Sequence, residues 1–431
     1  MSTREKAEAG KSAATAMLGL DLRSRNEALA SMATALRKGT QEIARANAED
    51  LEDARREGLP AALLSRLHFG DEKIEASIAG LEALRALPDP LGRQISARRL
   101  DEGLVLRQIS CPIGLIAMIF ESRPDALVQM AALCAKSGNA VLLKGGSEAS
   151  RTNRALAALI LDAGMKAGLP PSWLSLLESR AEVAELLLLD ELVDLLVPRG
   201  SKEFVARIKT ESRIPVLGHA DGICHLYLHA DAELSMASAL AVDSKTQYPA
   251  ACNAAEVLLV HADFAPKGLP RVVAALESAG VAIECCPRSA AILGRPSTMP
   301  ESGPWSVEYL DLRMAVKIVD SLDAAVVHIN RYGSRHTDAI VTSSAEAAGS
   351  FMEKVDSASV YWNASTRFAD GYRYGLGAEL GISTGKLHAR GPVGLEGLCT
   401  YKWKLCGSGQ TVADYACGRR AFTHEELTDG Q

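Results

Sequence analysis

No stretch of this 431-residue sequence stays apolar long enough to cross a membrane. The longest candidates are CPIGLIAMIF (111–120), about half of the ~20 residues a span needs, and LLLLDELVDLLV (186–197), which is broken by Asp190, Glu191 and Asp194. The start, MSTREKAEAGKSAATAML, alternates charged and small residues and lacks the apolar core of a signal peptide. A cytoplasmic protein without membrane contact is expected. A large excess of one charge is also missing. The net charge of −6 and pI of 5.9 exclude a general nucleic-acid binder, while leaving local cationic clusters free to hold small anions. Nine cysteines, odd in number and irregularly spaced, provide no disulfide framework, and most are expected to be small buried hydrophobes.

The standard chemical signatures are absent as well. There is no GxGxxG after a strand, no GxxxxGK[ST], no GxSxG and no HExxH. The nearest metal pattern is HADGICHLYLHA, with His219, Cys224, His225 and His229. On a strand, His225 and His229 share a face while Cys224 points the other way, so ordinary strand packing is the reading and no metal is expected. Neither internal repeats nor low-complexity segments occur.

What is present is a soluble globular composition, 48% hydrophobic and 23% charged, in a chain too long for one ordinary core. The first 85 residues carry helical periodicity, as in LRSRNEALASMATALRKGTQEIARANAEDLEDARREG. ALPDPLG (86–92) breaks the pattern, and ARRLDEGLVLRQISCP predicts a hairpin turning at Asp101-Glu102-Gly103. From Ile113 short apolar runs alternate with helical segments: IGLIAMIF, then a helix opened by Pro124, then AVLLK, another helix, LVDLLVP and SKEFVARIK. This alternation predicts a mainly parallel sheet with helices on both faces. A second α/β series starts near Ile223 and runs through AAEVLLVHA, MAVKIVDSLDAAVVHINRYG, DAIVTSS and SVYWN.

Two strand-to-helix turns carry the first chemical signal. LLKGGSEAS places Lys144, two glycines, Ser147 and Glu148 at one junction; VPRGSKE places Arg199, Gly200 and Ser201 at the next. Free backbone N–H groups at a helix start bind anions, glycine lets a phosphate approach, and ligands of open α/β sheets sit at strand carboxyl ends. The pair suggests a nucleotide. The second signal is Cys252 in KTQYPAACNAAEVLLVH, where Pro249, Ala250, Ala251, Ala254 and Ala255 leave its surroundings open. A thiol of pKa about 8.5 is a potent nucleophile even when slightly ionised. From spacing alone, a core thiol and a catalytic one both remain open.

Together, CPIGLIAMIFESRPDALVQMAALCAKSGNAVLLKGGSEA, IPVLGHADGICHLYL, KTQYPAACNAAEVLLVH, DSASVYWNASTRFADG and GLGAELGISTGKLHARGPVGLEGLCTYKW resemble the gamma-glutamyl phosphate reductases (glutamate-5-semialdehyde dehydrogenases) of the aldehyde dehydrogenase superfamily. The wording is especially similar to the reductase half of bifunctional pyrroline-5-carboxylate synthases. The resemblance implies an aldehyde dehydrogenase-like α/β fold with two parallel-sheet domains and a small β oligomerisation element. Its divisions would be 1–93 with 112–222 for NADPH, 223–365 for catalysis, 94–111 with 398–410 for oligomerisation, and 366–397 returning to the cofactor domain.

The implied reaction reduces L-glutamyl 5-phosphate with NADPH to L-glutamate 5-semialdehyde and phosphate, the second step of proline synthesis. Cys252 aligns with the family nucleophile; Lys144, Ser147, Glu148, Arg199, Gly200, Ser201 and Glu308 fall at coenzyme positions. Arg123 and Arg367 are expected to meet the substrate's carboxylate and phosphate, with Ser365 and Thr366 as hydroxyl donors, while His388 and Arg390 brace the C-terminal segment. Gly218 replaces the glutamate that activates water in hydrolytic relatives, and Ser122 replaces their oxyanion asparagine. The resemblance further implies a homodimer or homotetramer, with glutamate 5-kinase a conceivable contact. The rival readings are a hydrolytic aldehyde dehydrogenase and a non-catalytic scaffold for that kinase.

Overall fold

The alanine- and leucine-rich start folds as the periodicity predicts, into helices Thr3–Met17, Leu22–Lys38, Thr40–Arg56, Ala61–Leu67 and Asp71–Ala86. Ser2 and Glu5 close a reciprocal capping box on the first, and the Asp21 carboxylate accepts the Ser24 N–H on the second. These details come from a computed structural model, which describes residues 1–121 and 123–428, with Ala62 described by its backbone alone.

The chain divides into two compact units. The first comprises Met1–Gly200, Phe204–Leu217 and the chain from Gly394 onward; the second comprises Ser201–Glu203 and Gly218–Val393. In the first unit, β1 (Gln94–Asp101) and β2 (Leu104–Pro112) form the predicted hairpin, with Gly103 at φ 69° supplying the left-handed turn residue. Then come β3 (Leu115–Phe120), β4 (Ala140–Lys144), β5 (Leu174–Leu177) and β6 (Leu195–Arg199), parallel in the order β5-β4-β3-β6. Every residue of β3 and β4 is buried, as a strand covered by helices on both faces requires. The chain steps outward from β3 to β5 and returns beyond β3 as β6. That reversal opens a crevice at the carboxyl ends of β3 and β6, where the Glu121 N–H donates to the Arg199 carbonyl at 3.2 Å.

The second unit contains β7 (Cys224–Leu228), β8 (Ala255–His261), β9 (Ala282–Cys285), β10 (Arg313–Val319), β11 (Thr337–Val341) and β12 (Ser359–Trp362). They form a parallel sheet in the order β12-β11-β7-β8-β10-β9. Alternation sorts its core: Leu226, Leu228, Leu258 and Val260 pack in one layer, and Tyr227, Val257 and Leu259 in the other. A ribbon of β13 (Gly381–Ser383) and β14 (Gly391–Val393) follows.

Residues 366–393, expected to return to the cofactor domain, belong to this second unit instead. Arg390 donates to the Asp356 carboxylate at 2.9 Å, and Asn253 Nδ2 to the Ala369 carbonyl at 2.8 Å, tying the segment to β12's approach and to the cysteine loop. Beyond it, β15 (Cys399–Cys406) rejoins the first unit as a full-length antiparallel partner of β2, and β16 (Glu425–Glu426) flanks β1. Nearly all of β15 is exposed. Among the described residues, no helix is long and apolar enough to cross a membrane.

Candidate active site

Cys252 lies in the turn between helix Leu234–Thr246 and β8. The base of this turn is clamped by an ion pair: Lys245 Nζ meets Glu256 Oε2 at 2.6 Å, with both side chains fully buried. Burial drives the Glu256 carboxyl up to about 7 against the pull of Lys245, and drives Lys245 down. Inside the turn, the Ala251 N–H donates to Tyr248 and the Ala254 N–H to Ala251. Cys252 is half-buried, whereas Cys134, Cys224, Cys285 and Cys286 are buried. It is therefore set apart from the core thiols.

Two histidines converge on it. One ring nitrogen of His219, one of His336 and the Cys252 sulfur all lie within 4.8 Å of one another. The imidazoles meet edge-on, with centroids 4.9 Å apart. His219 Nδ1 contacts the Ile382 carbonyl at 2.8 Å; a carbonyl only accepts, so Nδ1 carries the hydrogen and Nε2 the lone pair. His336 Nδ1 engages Thr337 Oγ1 at 2.9 Å, and its Nε2 is buried without a hydrogen-bond partner among the described residues. Burial holds His336 well below the usual histidine range, in its neutral form. Beside them the Cys224 thiol, pushed up by burial, donates to the Cys252 carbonyl at 3.3 Å.

The four residues of the HADGICHLYLHA pattern do not gather. His225 pairs with Asp338 and His229 with Asp231, while His219 and Cys224 turn toward Cys252. Sequence reasoning missed His336. It stands alone before β11, and its only signal is the register that sets Asp338 beside His225 on β7.

Thr366–Phe368 form a short 3-10 turn in the same unit, with Ser365 as its cap. Ser365 Oγ accepts from the Arg367 N–H and from Ser244, and Thr366 Oγ1 is buried with no hydrogen-bond partner among the described residues. Arg367 donates through Nε to Gln247 at 2.9 Å and lies 5.9 Å from the centre of the Tyr248 ring. Burial, then Arg373, presses the guanidinium down, and the negative charge of a Cys252 thiolate opposes them. Glu308 accepts the Gly222 N–H at 3.0 Å, its carboxyl raised by burial. A Cβ on Gly222 would collide with the Cys252 backbone and press on Glu308, so this close approach needs glycine.

The remaining expected site residues belong chiefly to the first unit. Lys144 ends β4, buried, donating to the Gly145 carbonyl and held low by desolvation. A Cβ on Gly145 would strike Asn153, and one on Gly146 the Glu148 carboxylate. Ser147 and Ser150 line the small cavity of this turn with Asn153, whose Oδ1 is buried without a hydrogen-bond partner among the described residues. A glycine cradle, a cation and an orphaned acceptor for a hydroxyl fit a dinucleotide. Arg199 closes β6 and Gly200 follows it, where a Cβ would press on Glu121 and Phe204. Ser201 follows, grouped with the second unit. Arg123 pairs with Asp125 at 3.2 Å on an exposed helix start. Ser122 lies outside the described residues.

The aldehyde dehydrogenase family model matches residues 2–284. The chain is 53% identical to the gamma-glutamyl phosphate reductase of Pelotomaculum thermopropionicum over 99% of its own length and 98% of that protein's. It is 51% identical to that of Acetivibrio thermocellus, over 99% of each. The crystal structure of the Thermotoga maritima gamma-glutamyl phosphate reductase superposes with a TM-score of 0.93 at 37% identity, covering 95% of this chain and all of that one.

Proposed function

The chain belongs to the aldehyde dehydrogenase family and, within it, to the gamma-glutamyl phosphate reductases, and on that premise we propose that it reduces L-glutamyl 5-phosphate to L-glutamate 5-semialdehyde with NADPH in proline synthesis. The observation that carries the mechanism is the half-buried Cys252 with His219 beside it and Arg367 bonded to Gln247 at the base of its loop.

His219 Nε2 takes the thiol proton, directly or through one water. The Cys252 thiolate attacks the acyl carbon; the carbon–oxygen bond to phosphate breaks, inorganic phosphate leaves, and a thioester remains. Arg367 meets the anionic groups of the substrate, with Ser365 and Thr366 contributing hydroxyls, and Arg123 is a further candidate cation. A nicotinamide coenzyme supplies the hydride. For that coenzyme, Lys144, Ser147, Glu148, Arg199, Gly200 and Ser201 would hold the dinucleotide phosphates and Glu308 a ribose. Lys144 and Arg199 are the cations for a 2′-phosphate, which favours NADPH. After reduction, the thiohemiacetal oxygen reforms a carbonyl and expels the Cys252 thiolate, releasing the aldehyde.

Hydrolysis of the thioester would need a base at position 218, where glycine stands. We further propose self-association through the exposed β15 edge to a homodimer or homotetramer, with glutamate 5-kinase as a transient neighbour that hands over its labile product. The test is the reverse reaction. Semialdehyde oxidation is expected to require inorganic phosphate, and a Cys252→Ala variant to lose at least about a thousandfold in rate. Equal oxidation without phosphate, or an active Cys252→Ala enzyme, overturns the reading.

A further inference from the structure

We propose that Cys252, His219 and His336 form a capture site for a thiophilic divalent ion of the zinc class, which ties up the nucleophile and reversibly silences it. One sulfur and two imidazole nitrogens are the donor set such ions prefer, leaving a fourth position for water. Tetrahedral zinc needs its sulfur and nitrogen ligands about 3.3–3.6 Å apart. The three atoms already lie within 4.8 Å, so small side-chain rotations close the site.

The groups behind two of the ligands already hold their rings. Ile382 fixes the His219 tautomer through its carbonyl, and Thr337 Oγ1 occupies His336 Nδ1, as ring orientation in metal sites requires. A second observation comes from His336 itself: the residue is fully buried, yet its Nε2 has no hydrogen-bond partner among the described residues. A buried polar atom left unmatched costs free energy that a ligand bond would recover.

The ligands stand at the amino ends of adjacent strands, Cys252 ahead of β8, His336 ahead of β11 and His219 ahead of β7, so the sheet holds them. Half-buried Cys252 and His219 give the ion an entry. Binding exchanges the thiol proton for the metal: the proton passes to solvent, the sulfur–metal bond forms, and nothing is oxidised or reduced. Metal capture stands on this geometry alone; the loss of activity that follows rests on the reductase reading.

The test uses the full-length, chelator-treated protein. Titrated cobalt(II) is expected to bind one equivalent with tetrahedral visible bands and a thiolate charge-transfer band, all displaced by zinc. Cys252→Ser should abolish the charge-transfer band. His219→Asn and His336→Gln should each weaken binding at least about tenfold, with circular dichroism verifying their fold. His219→Asn, at a partly exposed position, carries the test if His336→Gln misfolds. Zinc should also slow alkylation of Cys252, read by peptide mass, with chelator restoring it. Unslowed alkylation, a charge-transfer band that survives in Cys252→Ser, or unchanged cobalt affinity in His219→Asn overturns the site. Every readout is independent of turnover, so an inactive reductase and an absent metal site give different results.

Discussion

At the residue scale, Arg367 separates substrate binding from architecture. Its Nε is committed to Gln247, which leaves the terminal nitrogens of the fork for an anion. Arg367→Met is expected to raise KM for glutamyl phosphate with a loss of kcat/KM of roughly 30- to 100-fold, and Arg367→Lys to recover little, because lysine lacks the planar fork. Unchanged KM with a lowered melting temperature would assign the residue a structural role. Cys252 was marked as a candidate along the chain by the small residues around it, and Arg367, in NASTRF, only by the family resemblance. His336 was not, because nothing local distinguishes RHTDAIV from any strand approach. His219 drew notice in the wrong company, since spacing cannot reveal that Ile382 lies across from it.

Among elements, the loop carrying Cys252 depends on a clamp. Lys245→Met leaves Glu256 buried without its cation and is expected to cost about 3–5 kcal/mol, measured by urea unfolding, while Lys245→Met with Glu256→Leu recovers most of it. An equal loss in single and double variants would remove the clamp from the account. A second tie joins the first helix to Arg180–Leu186. Partial burial works against the Glu182 charge, but hydrogen bonds from Lys6 and from the Ser179 and Glu178 N–H groups outweigh it and hold the carboxyl at about 2. A carboxyl depressed on folding stabilises above its unfolded pKa of about 4.3 and loses that contribution as pH falls toward 2; full retention would amount to about 3 kcal/mol. Glu182→Gln should therefore flatten stability against pH across that window, and an unaltered slope would contradict the tie. Long apolar runs made β3, β4, β7, β8, β10 and β11 readable in sequence. β5 and β9, four residues each, are too short for a period to register.

For the whole molecule, the two units use their sheets in opposite senses. Dinucleotide-type features cluster at the carboxyl ends of β4 and β6, whereas Cys252 and His336 stand at the amino ends of β8 and β11. The familiar carboxyl-end rule thus draws attention to the coenzyme-type turns and gives no lead to Cys252. The protruding sheet offers its own test. Tyr401, Trp403 and Leu405 on β15 are each more than half exposed, a row that an edge strand seldom leaves uncovered. Trp403→Glu is expected to reduce the molar mass in solution by light scattering; an oligomer of unchanged mass would place the interface elsewhere. The unequal burial of the nine thiols has a use beyond chemistry. With four sealed in the core, three half-covered and two on the surface, the native chain is its own unfolding gauge. In the isolated chain, counting thiols that react against time reports the surface pair, then the partly covered set that includes Cys252, then the opening of each core, with no label added.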